Sequence, residues 1–236
     1  MRLSVVIPAH NEAENIAPLI REIGAALSGT GGAEWEVVVV DDGSGDGTGA
    51  RATAAACDVP HLTVVRHPAP RGQSFAVVTG VRAATAPWIA TLDGDGQNDP
   101  ADIPRLLAAR DREAGRGGPL LLAGYRAERR DSWVKRVSSR TANGVRGRLL
   151  GDATPDTGCG LKLFEREAFL ALPHFDHMHR FLPALFLRAG GRVVSVEVGH
   201  RPRTRGRSHY GTFNRLWVGI VDMLGVMWLM RRQERR

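Results

Sequence analysis

Two aspartates one residue apart, Asp93 and Asp95, are the residues best suited to hold a divalent cation. Two carboxylates at this spacing can converge on a hard cation, which in turn neutralises a diphosphate. Gln97 adds a third oxygen ligand two residues further on. The alternative is a polar loop whose acids cap the next helix, but the position directly after an apolar run, with Gly94 and Gly96 as flanks, favours a metal.

Two further polar clusters also follow short apolar runs. Asn11 and Glu12 come after residues 3–7, and the sequence DDGS at 41–44 comes after residues 35–40. Each cluster alone is typical of a loop that caps a helix. Together with the pair near residue 95 they suit a nucleotide, with one acid near the ribose or base and a metal-linked pair near the phosphates. The sequence contains no P-loop lysine motif and no Gly-x-Gly-x-x-Gly after the first strand, so ATP-hydrolysing and dinucleotide-binding functions lose support.

The apolar runs predict the strands that must position these clusters. They lack polar alternation and are separated by amphipathic helices, which indicates a parallel sheet covered on both faces. Ligands bind such sheets at the carboxyl ends of the strands. The predicted strands are 3–7, 35–40, 62–66, 88–92, 120–124 and 192–198, and the predicted helices lie near 16–27, 50–56, 73–84, 126–148, 165–170 and 181–189.

The charge of the chain changes sign along its length. The 236 residues have a net charge of +7 and an apolar content of 43%, which is typical of a globular protein. Residues 1–109 carry 7 basic and 13 acidic side chains, whereas 110–148 carry 11 and 4, and 200–236 carry 9 and 2. No helix-turn-helix, zinc-finger or RNA-recognition signature accompanies the positive segments. We therefore expect a phosphate-bearing small substrate or an anionic membrane surface as partner, and no nucleic acid.

Six motifs, in order along residues 3–211, resemble family 2 glycosyltransferases of the GT-A fold, and more narrowly the polyprenyl-phosphate branch similar to dolichol-phosphate mannose synthase. They are VVIPAHNEAENI (5–16), VVVVDDGSGDGT (37–48), RGQSFAVVTGVRAA (71–84), TLDGDGQNDP (91–100), DTGCGLKLF (156–164) and HRPRTRGRSHYG (200–211). The resemblance implies a GT-A, Rossmann-like α/β fold with a mostly parallel sheet sandwiched by helices. It also implies an inverting, metal-dependent enzyme that transfers a sugar from a UDP- or GDP-sugar donor to a polyprenyl phosphate, with Mg²⁺ or Mn²⁺ as cofactor.

The same resemblance implies a role for individual residues. Positions that match the nucleoside pocket are Pro8, Ala9, His10, Glu12, Val40 and Asp42. The turn that holds the metal beneath the diphosphate matches Asp93, Gly94, Asp95 and Gln97. Arg126 and Arg203 match phosphate-contacting arginines, and with Arg140 they are candidates for the lipid phosphate. Asp156 stands where relatives carry a proposed base or orienting acid, so we expect Asp156, Asp95 and Arg126 to be catalytic; the alternative for Asp156 is a loop cap.

Two positions depart from the pattern of this branch. The branch usually has a lysine in G-x-S-K-Y, whereas this chain has His209, whose contact with a phosphate would be weaker and pH-dependent. His10 stands where an aromatic side chain often stacks near the nucleobase, which leaves UDP and GDP open as donors. A separate cluster, His174, His177 and His179, fits no standard metal site, and we expect these histidines to be solvated or packed.

The last segment, 213–230, is apolar except for Asn214, Arg215 and Asp222. A spanning helix needs about 20 apolar residues, and a central aspartate disfavours insertion. We expect residues 1–211 to form the catalytic domain and 212–236 to associate peripherally with the cytoplasmic membrane face, with a small integral-membrane partner or as a homo-oligomer. A buried globular helix and a transmembrane helix are the alternatives.

Two other functions compete with the main prediction. One is a family 2 enzyme that acts on a saccharide or a lipid A-type acceptor. The other is a catalytically inactive scaffold that organises a membrane complex. The complete set of Asp93, Asp95 and Gln97 counts against the scaffold.

Overall fold

A seven-stranded sheet organises the protein. The computed structural model describes residues 3–29, 34–59, 61–126, 144, 147, 149–202 and 212–232, with side chains from 218 onward in the last range. The strands are β1 (Leu3–Ala9), β2 (Trp35–Asp41), β3 (Leu62–Arg66), β4 (Trp88–Thr91), β5 (Leu120–Arg126), β6 (Lys162–Glu165) and β7 (Arg192–Val198). Their order across the sheet is β3-β2-β1-β4-β6-β5-β7. Only β6, among these seven, runs antiparallel to its neighbours, so the sheet is mostly parallel.

Helices cover both faces of the sheet. They are α1 (Ile16–Ser28), α2 (Thr48–Ala54), α3 (Gln73–Ala83), α4 (Ile103–Arg112), α5 (Arg166–Leu170), α6 (Leu182–Arg188) and α7 (Thr212–Arg231), with short 3-10 turns at Ala55–Cys57, Pro100–Asp102 and Met178–Arg180. One core lies between the sheet and helices α1, α2 and α4. The other core lies between the sheet and helices α3, α5, α6 and α7.

The five inner strands are mostly buried on both faces, whereas the edge strands β3 and β7 are partly exposed. In β1, Val5 and Ile7 point into the first core and Val6 points into the second. Helix α3 approaches this sheet closely at Gly80, where an added Cβ would lie 2.4 Å from a methyl group of Val6. A glycine is therefore required there for α3 to pack against β1.

Strand β6 and helix α4 were not among the elements predicted from the sequence. β6 has only four residues and begins with the charged Lys162, so it has no long β-branched run to reveal it. Its position between β4 and β5 is set by pairing with both strands. The helix predicted over 126–148 falls mainly outside the described residues.

The chain order reverses at β1, because β2 and β3 lie on one side of it and β4 lies on the other. Such a reversal opens a crevice at the carboxyl ends of the strands, where α/β proteins bind ligands. The turn after β4 comes very close to the end of β1, since a Cβ at Gly94 would lie 3.1 Å from the carbonyl oxygen of Pro8. The fold thus places two of the predicted polar clusters side by side.

Candidate active site

The turn after β4 presents the two aspartates at the crevice. The Oδ1 atom of Asp95 accepts a hydrogen bond from the backbone N–H of Gln97 at 3.1 Å. The backbone N–H of Asp93 donates to the Oδ1 atom of Asn98 at 3.4 Å. These local bonds fix the turn, so all three predicted metal ligands lie at the end of one strand.

The carboxyl group of Asp93 has an unusual environment. Its side chain keeps some exposure to the crevice but is otherwise surrounded by protein, and burial together with the neighbouring charge of Asp95 raises its pKa to about 6. The charges of Lys162 and Arg126 and a 2.7 Å hydrogen bond donated by Gln73 Nε2 oppose this shift without cancelling it. The site therefore holds negative charge that the protein itself does not fully neutralise.

Arg126, at the end of β5, is paired with Asp156. Its Nε and Nη2 atoms donate to the two carboxylate oxygens at 2.6 and 3.1 Å, and both side chains are mostly buried. Burial alone would lower the pKa of Arg126, but the hydrogen bond and the charge of Asp156 outweigh it and raise that pKa. Asp156 thus orients a permanently charged guanidinium, which favours the orienting role over that of a base.

Lys162 also belongs to the site, although the sequence motifs predicted no role for it. Its side chain is buried, and its ammonium group donates to the carbonyl oxygens of Thr157 (3.4 Å) and Cys159. Burial lowers the pKa of Lys162, while the charges of Asp93 and Asp156 oppose the shift. Cys159 is fully buried in the same loop. The DTGCGLKLF motif contains Lys162, but only the pairing of β6 with β4 brings it beside Asp93.

The clusters after β1 and β2 hold each other in place. The carboxylate of Asp42 accepts hydrogen bonds from the backbone N–H groups of Arg71 and Gly72, both at 2.8 Å, and lies 2.7 Å from Nδ1 of His67. Burial would raise the pKa of Asp42, but these bonds lower it. His10 is exposed, with Nδ1 2.7 Å from the backbone oxygen of Asp42. Asp42 therefore shapes the crevice by anchoring the loop that leads into α3.

The remaining nucleoside-pocket positions differ in accessibility. Glu12 is buried, and one carboxylate oxygen accepts a 2.6 Å hydrogen bond from the amide of Asn15. Ala9 is also buried, whereas Pro8 lines the crevice. The Val40 side chain is fully buried in the second core, so a contact with a ligand would fall to its backbone. Arg140, Arg203 and His209 lie outside the described residues, and their roles stay predictions.

A cleft of about 390 Å³ extends from Asp93 between the sheet and the loop that precedes α6. Its polar lining includes Asp93, Gln73, Lys162, His179 and Arg180. Nδ1 of His179 lies 2.8 Å from the hydroxyl of Ser74, and burial lowers the pKa of His179 well below the usual value. The cleft is large enough for a sugar ring next to the acidic pair.

Helix α7 turns its aspartate toward the protein. Asp222 Oδ2 lies 2.9 Å from Nδ1 of His177, a close contact without hydrogen-bonding geometry. Val226 is buried on the same helix, whereas Val221, Leu224 and Trp228 are 51%, 59% and 61% exposed. Among the described residues, no helix is both long and apolar enough to span a membrane.

Comparison with known proteins gives the family. A family model described as glycosyl transferase family 2 matches residues 4–172, which include the acidic pair, Arg126, Asp156 and Lys162. The chain belongs to glycosyl transferase family 2. A curated relative of this glycosyltransferase is the dodecaprenyl-phosphate galacturonate synthase of Rhizobium johnstonii, which is 34% identical over 239 residues, covering 100% of the chain and 69% of the relative.

Solved structures share the GT-A fold of this family 2 glycosyltransferase. Mannosyl-3-phosphoglycerate synthase from Rubrobacter xylanophilus is 18% identical, with a TM-score of 0.72 over 100% of this chain and 77% of that one. Glucosyl-3-phosphoglycerate synthase from Mycobacterium tuberculosis, solved with Mn²⁺, UDP-glucose and phosphoglyceric acid, is 22% identical, with a TM-score of 0.69 over 97% and 79%. The predicted GT-A fold is confirmed.

Proposed function

We propose that this protein is a metal-dependent, inverting glycosyltransferase that moves a sugar from a nucleoside diphosphate sugar to a polyprenyl phosphate. The observation that carries the proposal is the pairing of Asp93 and Asp95 at the carboxyl end of β4, close enough to raise the pKa of Asp93. Family membership supports the reaction class. The polyprenyl phosphate acceptor is inferred from the relative, which is a dodecaprenyl-phosphate galacturonate synthase.

The acidic pair fits Mg²⁺ or Mn²⁺. The raised pKa of Asp93 comes from burial and from the charge of Asp95. A bound divalent cation would favour the ionised carboxylate and so lower this pKa. Within the described ranges no third His, Cys, Asp or Glu joins the pair, so Gln97 would complete the protein ligands beside diphosphate oxygens. When bound, the metal neutralises the charge of the diphosphate leaving group. The Mn²⁺ and UDP-glucose complex of a fold relative supports this choice.

Arg126 is suited to hold the acceptor phosphate. Its ion pair with Asp156 uses Nε and Nη2, and Nη1 has no hydrogen-bond partner among the described residues, so Nη1 is proposed to donate to a phosphate oxygen. A phosphate nucleophile is ionised near neutral pH and needs little help from a base, so positioning and charge neutralisation supply most of the catalysis. An oxygen of the acceptor phosphate attacks the sugar carbon that carries the diphosphate, from the opposite face. The bond to the diphosphate breaks, and the configuration at that carbon is inverted. Arg140 and Arg203 are proposed to add positive charge around the lipid phosphate.

The proposed place of action is the cytoplasmic face of a membrane. Between residues 218 and 230 the exposed side chains of α7 are apolar, and the exposed Arg231 and Arg232 follow them. An apolar helix face beside cations suits an interface with anionic headgroups. Asp222 does not oppose this contact because it faces His177. Two free cysteines, Cys57 and Cys159, fit a reducing compartment.

The test is transfer of labelled sugar from UDP- and GDP-sugars to a polyprenyl phosphate in detergent, with Mn²⁺ or Mg²⁺. The expected product partitions into organic solvent, and Asp95→Asn or EDTA abolishes it. Arg82→Gln is a control, because Arg82 lies on the exposed end of α3, and should retain full activity. Transfer to a water-soluble saccharide or to a lipid A precursor instead would contradict the proposed acceptor, and no transfer to any acceptor would favour the inactive scaffold.

A further inference from the structure

The cleft beside the acidic pair contains a cation that the reaction described above does not use. Arg180 is half-buried in its lining, together with Asp93 and Lys162. We propose that Arg180 recognises a carboxylate on the donor sugar, so that the enzyme selects a nucleoside diphosphate uronic acid over the neutral sugar. This inference rests on the proposed function, because it assigns the donor of the same site.

Within the described part of the chain, the contacts of Arg180 differ from those of three other cations near the crevice, Arg126, Arg201 and Lys162. Arg126 is paired with Asp156, Arg201 is paired with Glu22 and Asp99, and the Lys162 ammonium donates to two carbonyl groups. The guanidinium of Arg180, by contrast, has no hydrogen-bond or ion-pair partner among the residues that the structure describes. A half-buried, unpartnered guanidinium has lost hydration, so binding of an anion there is favourable.

The turn that carries Arg180 is fixed from both sides. Met178 in the 3-10 turn Met178–Arg180 is 1% exposed and packs in the second core. Ser74 contacts the turn from α3, since its hydroxyl accepts the backbone N–H of His179 at 3.3 Å and lies 2.8 Å from Nδ1 of the same residue. A cation on a rigid turn is positioned before the substrate arrives, which lowers the entropic cost of recognition.

The chemistry of the lining favours a carboxylate over a neutral substituent. A guanidinium matches the planar geometry of a carboxylate and can bind it through two N–H groups. A hydroxymethyl group at the same position would leave the guanidinium unpaired, and a site that leaves a buried polar group unpaired discriminates strongly. The neighbouring His179 adds no competing positive charge near neutral pH, because burial lowers its pKa.

The experiment compares donors that differ only at the sugar C6 carbon: UDP-galacturonate with UDP-galactose, and GDP-mannuronate with GDP-mannose. With polyprenyl phosphate and Mn²⁺, the wild-type protein should prefer the acidic member of one pair in kcat/KM. Arg180→Gln should lower kcat/KM for the acidic donor by about 100-fold and leave the neutral donor nearly unchanged. Arg180→Lys should keep part of the preference, and the matched control Arg82→Gln should keep all of it.

An equal loss of kcat/KM for the acidic and the neutral donor in Arg180→Gln would overturn the inference, because Arg180 would then contact a phosphate that both donors share. A wild-type protein with no preference within either pair would overturn it too. Calorimetric titration of the same donors into the wild type and Arg180→Gln measures donor binding without transfer, so this inference can be tested separately from the proposed function. If no transfer occurs with any donor, the proposed function fails, whereas tighter binding of the acidic donor that Arg180→Gln removes would still support the carboxylate contact.

Discussion

The backbone of Gly160 and the carboxylate of Asp93 are so close that a Cβ atom at residue 160 would lie 2.3 Å from Oδ2 of Asp93. The loop before β6 is therefore pressed against the acidic pair, and Thr91 holds it there by donating a 2.8 Å hydrogen bond to the Gly160 carbonyl. A methyl group can be accommodated only if the Asp93 carboxylate moves.

Gly160→Ala should therefore lower kcat by at least about 100-fold, because small misplacement of a catalytic group has an effect of this order. The stabilisation by Mn²⁺ in a thermal shift assay should also decrease. Gly29→Ala is the matched control, since no atom lies within 4 Å of an added Cβ there. Normal activity in Gly160→Ala would show that Asp93 does not need its observed position.

Removing the partner of Arg126 should destabilise the protein. Asp156→Ala leaves a mostly buried guanidinium without its carboxylate, and breaking such a pair costs about 3 kcal/mol. Urea unfolding of this variant, of Arg126→Met and of the double variant measures the coupling between the two residues. The double variant should lose less stability than the two single variants together; additive losses would mean that the pair does not act as a unit.

The metal-free protein should show a stability contribution from Asp93 that depends on pH. The folded-state pKa is about 6, against 3.8 for an ordinary aspartate, so the folded protein binds an extra proton between these values. The contribution to the free energy of unfolding is therefore fully present below about pH 4 and is lost as the pH rises through 6. In EDTA, Asp93→Asn should have a higher melting temperature than the wild type at pH 7.5, and this advantage should shrink at pH 5. A difference that stays constant between the two pH values would contradict the assigned pKa.

Membrane binding should depend on the outward side of α7. Leu224 and Trp228 are both more than half exposed, and burial of an apolar side chain contributes about 1.5–3 kcal/mol. Leu224→Gln with Trp228→Gln should reduce binding to anionic liposomes in a flotation assay by at least about 100-fold, since the two losses together are about 3 kcal/mol or more. Stabilisation by UDP or GDP with Mn²⁺ should not change, because these side chains lie outside the crevice. If the variant and the wild type float equally well with the liposomes, these side chains of α7 do not contact the membrane.

Much of this site follows from the sequence because its parts lie directly after apolar runs. Residues 3–7, 35–40 and 88–92 are mainly apolar, with one polar residue each (Ser4, Glu36 and Thr91), so the strands that end at the polar clusters are predictable from local pattern. The placement of Asp93, Asp95 and Gln97 in one turn follows from their spacing.

The contacts that tune the site are different, because they join distant parts of the chain. Ser74 and His179 are 105 positions apart, and Arg126 and Asp156 are 30 apart. Lys162 reaches the acidic pair only through the antiparallel pairing of β6, which has four residues and no distinctive pattern. Local sequence patterns do not predict such contacts. The direction of the Asp222 side chain is not predictable either, because it depends on how α7 packs against the second core.

The most direct test of the central claim is the measurement of lipid-linked product with and without divalent metal. Wild-type protein, a labelled nucleoside diphosphate sugar, polyprenyl phosphate and Mn²⁺ should give label that extracts into organic solvent, and EDTA or Asp95→Asn should reduce it to background. Lipid-linked product that forms at the same rate in EDTA, or in Asp95→Asn, would contradict a reaction that depends on a cation held by Asp93 and Asp95.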